Sequence, residues 1–101
     1  MIIQNKEILI KTVSELKKKM ENDLKGINQT MLSKNLRDQL SIAQKDFMQN
    51  LMHIDSLCKD DKISIDQNFY KEKLDKAYKD FSAVVQRAII FTQAKNNTIS
   101  L

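Results

Sequence analysis

The sequence predicts an all-α fold, an antiparallel up-down-up bundle of three helices. The 101-residue chain has no proline and one glycine, so the residues that usually separate short strands are missing. Apolar residues recur every three or four positions along three long stretches, which polar connectors separate. Because such connectors favour antiparallel neighbours, we expect one domain over residues 1–101 whose core is modest, with 42% hydrophobic and 30% charged residues.

The first helix is predicted over about residues 5–25. Its apolar residues follow the helical period, while lysine and glutamate occupy its other faces. The apolar stripe is Leu9, Val13, Leu16, Met20 and Leu24. Gly26, the only glycine, is a natural C-terminal stop.

The second helix is predicted over about residues 32–59, with Thr30 or Ser33 near its start. It is long, and its stripe keeps the helical spacing throughout. The stripe is Leu36, Leu40, Ala43, Phe47, Leu51, Ile54 and Cys58. The segment CKDDKISIDQ interrupts this pattern and ends the helix.

The third helix is predicted over about residues 66–95, and Ser64 with Gln67 matches a capping box at its start. Its main stripe alternates spacings of four and three, the 3.5-residue period of helices that cross at a shallow angle. The stripe is Tyr70, Leu74, Ala77, Phe81, Val84, Ala88 and Phe91. The tail NNTISL has no periodicity, and we expect it to fray.

A second apolar stripe lies beside the first one on the third helix, and two methionines lie off the main stripe of the second helix. If these edges are neighbours, they form a groove between helices 2 and 3 that suits an amphipathic partner helix. The predicted groove residues are Met48, Met52, Tyr78, Val85 and Ile89. A wide core face is the other interpretation of the same pattern. The variant Val85→Asp distinguishes the two interpretations. The bundle should stay folded if Val85 lies in a groove, and it should unfold if Val85 lies in the core.

No constellation of residues predicts an enzyme, a cofactor or a metal site. His53 and Asp55 are two positions apart and point to different faces of a helix, and His53 and Cys58 are also poorly matched. Asp60 and Asp61 are adjacent in a turn, where they end a helix and solubilise the connector. A single glycine cannot build a phosphate-binding loop.

The net charge of +4 and the pI near 9.2 raise the question of nucleic acid. The lysines of the third helix alternate with acidic residues, so they predict a solvated face and no nucleic-acid partner. One cysteine, no signal-peptide run and no apolar stretch of membrane-spanning length predict a soluble cytosolic chain.

Short motifs in the second and third helices resemble the N-terminal three-helix (Habc) domain of syntaxins, most of all the endosomal and vacuolar branch. The start of the second helix fits a Leu-Arg-x-x-Leu pattern, and the third helix fits the order Lys-Leu, Asp-Phe, an apolar pair and Gln-Arg. The matching positions are Leu36, Arg37, Leu40, Lys73, Leu74, Asp80, Phe81, Val84, Val85, Gln86 and Arg87. The first helix fits as a periodic pattern that ends in Leu-Lys-Gly.

The resemblance implies a regulatory domain of a SNARE protein in vesicle membrane fusion. Its partners would be a SNARE helix, in cis or in trans, along the groove between helices 2 and 3, and Sec1/Munc18-type or adaptor proteins. The SNARE helix and the C-terminal membrane anchor of syntaxins are absent from these 101 residues, so fusion itself is not the expected activity of this chain. The implied location is the cytoplasmic face of endosomal, vacuolar or Golgi membranes.

A bacterial helical bundle is the alternative. Small secretion-system partners, secretion chaperones and bacteriocin-immunity proteins have a similar length, and the Lys/Asn/Ile-rich composition is compatible with them. The Leu24-Lys25-Gly26 turn also resembles the turn tripeptides of secreted helical hairpins.

Overall fold

The computed structural model describes residues 6–99, with side chains described for residues 6–94, and confirms the predicted three-helix bundle. The helices are α1 (Lys6–Lys25), α2 (Lys34–Lys59) and α3 (Gln67–Ile99), and a 3-10 turn at Gln29–Met31 lies between α1 and α2. No strand occurs within residues 6–99. In the same range, none of the helices combines the length and hydropathy needed to cross a membrane.

The core contains the apolar stripes predicted for α1 and α2. The buried residues of these helices are Leu9, Val13, Leu16, Met20, Leu40, Phe47, Leu51, Ile54 and Cys58. The other stripe residues, Leu24, Leu36 and Ala43, are partly buried against them. Two further core residues, Ile27 and Leu32, come from the connector between α1 and α2. Asp23, near the end of α1, contacts Tyr78 of α3, and α3 continues to Ile99. Because α1 is too short to cover the rest of α3, the connector supplies the apolar side chains there.

Both apolar stripes of α3 contribute to the core. Leu74, Phe81 and Ala88 of the predicted main stripe are buried, and so is Val85 of the second stripe. Each helix of a three-helix bundle has two neighbours, so its apolar face must be wider than one stripe. The wide-core interpretation is therefore correct for Val85, and the groove interpretation of this residue is wrong.

The ends of α3 differ from the sequence prediction. The N-cap is Asp66 and not Ser64: the Phe69 amide donates to the Asp66 carboxylate at 3.2 Å, and the Tyr70 amide donates to the Asp66 carbonyl at 3.2 Å. At the other end, residues 96–99 continue the helix, so α3 extends beyond the predicted end near residue 95. No proline or glycine follows Phe91 to stop the helix. Residues 100 and 101 lie outside the described residues.

The beginnings of α1 and α2 are fixed by different contacts. Ser33 caps α2, because its hydroxyl accepts a hydrogen bond from the Leu36 amide at 3.2 Å, as one of the two predicted starts requires. Lys6 Nζ donates to the carbonyls of Asp60 and Ile63 at 2.8 and 2.6 Å. This ammonium group fastens the N-terminus of α1 to the α2–α3 connector.

Asp66→Ala should lower the free energy of unfolding by about 1 kcal/mol, because it leaves an amide at the start of α3 without its capping acceptor. Asp61→Ala is the matched control: Asp61 is exposed in the same connector, and no contact of its side chain is found among the described residues. Urea unfolding followed by circular dichroism measures both variants. An equal loss of free energy of unfolding in Asp66→Ala and Asp61→Ala would contradict the assignment of Asp66 as the N-cap.

Candidate functional site

An open groove of about 630 Å³ runs between α2 and α3. Its floor is the stacked pair Phe47 and Phe81, whose ring centroids are 5.2 Å apart with an interplanar angle of 13°. Ile42 and Ala43 form the apolar part of the α2 wall, and the α3 wall contains Ala77 and Val84. The polar residues around the groove are Gln39, Asp46, Gln49, Asn50, His53, Asp80 and Arg87.

The charges of the groove come from both helices. Asp46 on α2 and Asp80 on α3 are acidic, and Arg87 follows Asp80 by two helical turns on the same face of α3. Within residues 6–94, the ion pair that forms is Lys59 with Asp55 at 2.8 Å, and it does not involve these three residues. The two carboxylates and the guanidinium are therefore available to a partner.

Ile42 is the most conspicuous apolar side chain of the groove. It is 61% exposed although it adjoins the apolar groove wall. Single exposed apolar residues are common on proteins, but this one continues an apolar surface that Ala43 and Val84 begin. Phe69 and Phe91 lie three turns before and after Asp80 on the same face of α3, so aromatic residues also lie towards both ends of this face.

The five residues predicted for the groove do not lie together. Met48 and Met52 line a smaller groove of about 240 Å³ between α1 and α2. Tyr78 contacts α1, Val85 is in the core, and Ile89 is half-buried against the core. A groove between α2 and α3 is present, but other side chains line it.

The error has a geometric cause. The spacing of apolar residues shows which side of a helix faces the core, but the hand of the bundle decides which flank faces which neighbour. In this bundle, the Met48 flank of α2 faces α1, and the Asp46 flank faces α3. On α3, the Tyr78 flank faces α1 and the Val84 flank faces α2.

Sequence reasoning also missed Ile42 and Asp46. Ile42 comes two positions after the buried Leu40 and one before Ala43, so it is a large apolar residue on the outer side of the helix. A large apolar residue on the outer side of a helix is the sequence feature that could have identified Ile42 as a binding residue. Asp80 and Arg87 belong to the syntaxin-like motif of the third helix, and in the structure both residues line the groove.

Tyr78 links α3 to α1 through a polar contact at the edge of the core. Its hydroxyl donates to Asp23 Oδ2 at 2.9 Å, and Lys19 Nζ lies 5.4 Å from the centre of its ring. Partial burial raises the pKa of the Tyr78 phenol, and the hydrogen bond to the Asp23 carboxylate and the negative charge of Asp23 raise this pKa further. Tyr78 is therefore a structural contact between helices.

Tyr78→Phe should lower the free energy of unfolding by about 1–2 kcal/mol at pH 7, because it removes a hydrogen bond to a charged acceptor. The phenol pKa is higher in the folded state, so its contribution is fully present below the unfolded pKa near 10 and is lost as the pH rises through the raised folded pKa. Urea unfolding between pH 7 and pH 11 should therefore show that the difference in free energy of unfolding between wild type and Tyr78→Phe becomes smaller as the pH rises. Tyr70→Phe is the control. If the destabilisation caused by Tyr70→Phe depended on pH as strongly as that caused by Tyr78→Phe, the role of Asp23 would be contradicted.

The remaining candidate side chains are separated in the structure. His53 is exposed at the groove, Asp55 pairs with Lys59, and Cys58 is buried. Burial raises the pKa of the Cys58 thiol, Asp55 raises this pKa further, and Lys6 lowers it. Among the side chains that the structure describes, no group of three His, Cys, Asp or Glu residues is placed to hold a metal ion.

Comparison with protein-family models, with curated proteins and with solved structures gives no significant match. The geometry of the groove therefore carries the functional argument.

Proposed function

We propose that this protein is a helix-binding interaction module and that the groove between α2 and α3 is its binding site. The observation that carries the proposal is an open groove whose partly buried walls include Ala43, Ala77 and Val84, next to the 61% exposed Ile42. Three charged side chains at this groove, Asp46, Asp80 and Arg87, form no ion pair within residues 6–94. A helix laid along this groove becomes a fourth helix of the bundle.

The groove defines the chemistry of its partner helix. An apolar stripe would cover Ile42, Ala43 and Val84. A lysine or arginine would lie opposite Asp46 and Asp80, and an acidic residue two turns away would lie opposite Arg87. Each Å² of apolar area removed from water contributes roughly 25 cal/mol, less the cost of ordering the helix, so binding in trans should be modest.

The resemblance to syntaxin N-terminal domains supplies a biological form of this proposal. It implies a regulatory domain that binds a SNARE helix, in cis or in trans, or a Sec1/Munc18-type or adaptor protein, at endosomal, vacuolar or Golgi membranes. The position of the groove between α2 and α3 supports this form. A tether that gives a millimolar effective concentration would make even a modest affinity sufficient for closure in cis.

Ile42→Asp should weaken binding of a groove-directed helix at least about ten-fold without unfolding the bundle, because it places a charge on the apolar wall at an exposed position. Met52→Asp is the matched control: Met52 is 63% exposed but belongs to the α1–α2 groove. The probes are SNARE-motif peptides and designed amphipathic helices whose two opposite charges are two turns apart. Fluorescence anisotropy gives the affinity, and amide chemical-shift changes locate the site.

The expected chemical-shift changes lie on the facing sides of α2 and α3. A matched probe with its two charges exchanged should bind more weakly, since each charge then meets its own sign. Equal loss of binding in Ile42→Asp and Met52→Asp, or shift changes confined to α1, would contradict the proposed site. Preference for the SNARE peptide over the designed helices would support the SNARE form of the proposal.

A further inference from the structure

The two halves of α1 differ in composition. Residues 6–13 read KEILIKTV and contain four β-branched side chains, whereas residues 14–25 read SELKKKMENDLK and contain none. A β-branched side chain loses freedom against the preceding turn of a helix, while the leucines, lysines, glutamates and methionine of the second half favour the helical state. The first half of α1 therefore depends more on contacts with the rest of the bundle to stay helical.

Lys6 supplies the polar part of these contacts. Partial positive charge at the N-terminal end of a helix disfavours an ammonium group there, yet α1 begins with this lysine. The side chain reaches across to the α2–α3 connector, where Nζ donates to the Asp60 carbonyl at 2.8 Å and to the Ile63 carbonyl at 2.6 Å. Hydrogen bonds from a charged donor are stronger than those between neutral groups. Without these two bonds, apolar packing alone would hold residues 6–13 against the connector end of the bundle.

The first turns of α1 lie beside the last turns of α2. Ile10 of α1 and Asp55 of α2 line the same small groove, and Lys6 reaches the connector that follows α2. The chain passes from α1 to α2 at the opposite end of α1, so no connector joins these first turns to α2 or α3. Residues 6–13 can therefore leave the bundle while the rest of α1 stays packed.

We propose that residues 6–13 are a strap that opens and closes over one end of the core, and that the two hydrogen bonds of Lys6 fasten it. The strap opens by unwinding as far as about Ser14, where the β-branched residues end. In the open state, the buried Leu9 and Val13 leave the core, and the side of α2 that they cover faces solvent. This device goes beyond the proposed function, because no residue of α1 lines the groove between α2 and α3.

Cys58 lies next to the strap and is the only cysteine of the chain. Its side chain is 4% exposed, and it comes two residues before the Asp60 carbonyl that Lys6 binds. Burial raises the pKa of the Cys58 thiol, Asp55 raises this pKa further, and Lys6 lowers it, as expected for an ammonium group close to the thiol. The rate at which a thiol reagent modifies Cys58 in the folded chain therefore measures how often the strap is open.

Thiol labelling with N-ethylmaleimide, an uncharged reagent, tests the strap. Lys6→Met removes both hydrogen bonds and keeps an unbranched side chain, so Cys58 should react about ten-fold faster than in the wild-type chain. The loss of charge acts in the opposite direction, because Lys6 lowers the pKa of the Cys58 thiol and its removal leaves less of the reactive thiolate. A faster reaction would therefore show that the strap opens more often, and not that the thiol is more reactive.

Lys11→Met is the matched control. Lys11 is exposed on the same strap, and this variant removes the same charge and introduces the same side chain away from the connector. Its labelling rate should stay within about two-fold of the wild-type rate. Urea separates opening of the strap from unfolding of the bundle, because a small opening exposes little surface. The labelling rate of Lys6→Met should hardly change at low urea concentrations, whereas labelling through global unfolding would rise steeply.

Hydrogen exchange locates the opening along α1. In the wild-type chain, the amides of residues 10–13 should exchange faster than those of residues 17–21, and Lys6→Met should increase the difference. Equal labelling rates for Lys6→Met and Lys11→Met would overturn the proposal. So would a steep dependence of the Lys6→Met rate on urea, or uniform protection of the amides along α1.

Discussion

Val85→Asp should strongly destabilise the three-helix bundle. The Val85 side chain is 2% exposed in the middle of α3, and no buried polar or charged residue is found in the described core that could partner a new carboxylate. An unpaired charge in such a place, or the protonation needed to neutralise it, costs at least about 3 kcal/mol. A domain of this size is stable by about 5–15 kcal/mol, so the variant loses a large part of its stability.

Gln86→Asp is the matched control for this variant. It adds the same charge to the next residue of the same helix, but Gln86 is exposed, so the free energy of unfolding should change by no more than about 0.5 kcal/mol. Circular dichroism at 222 nm during thermal and urea unfolding measures both. A folded Val85→Asp protein with wild-type stability would show that Val85 is a surface residue, as the groove interpretation of the sequence required.

The periodicity of the sequence was sufficient for the fold because each helix shows its core side through residue spacing. The stripe Leu9, Val13, Leu16, Met20 and Leu24 predicted the buried side of α1. The first four residues are buried, and Leu24 is partly buried against the core. Periodicity does not extend into connectors, so Ile27 and Leu32 remained unrecognised as core residues. Their burial depends on how far α1 extends along α3, which no local pattern encodes.

The candidate site was harder to predict than the fold, because it depends on the hand of the bundle. Met48 and Asp46 flank Phe47 on opposite sides, and only the three-dimensional arrangement decides which of the two faces α3. Hydrophobicity favoured the methionines, whereas the groove between α2 and α3 combines Asp46 with Asp80 and Arg87. A search for apolar edges therefore found a groove-lining pair in Met48 and Met52, but one that belongs to the groove between α1 and α2.

Phe81→Ala should cost about 3–5 kcal/mol of folding free energy, the usual range for a buried phenylalanine. The Phe81 side chain is 1% exposed, and its ring stacks on Phe47 and lies 6.5 Å from the ring of Tyr78. Removing it leaves a cavity beneath the groove and takes a neighbour from two other rings. Chemical unfolding measured by fluorescence and by circular dichroism gives the loss.

Phe69→Ala makes the same chemical change at the start of the same helix, where the side chain is 49% exposed and contacts Tyr70 edge-on at 5.1 Å. It should cost less than about 1.5 kcal/mol, because an exposed aromatic pair contributes little beyond its small buried area. The difference between the two variants separates the core contribution of Phe81 from the intrinsic effect of losing a phenylalanine in α3. Similar costs for both variants would mean that Phe81 is not part of a packed core, and the groove would then have no rigid floor on which to bind a helix.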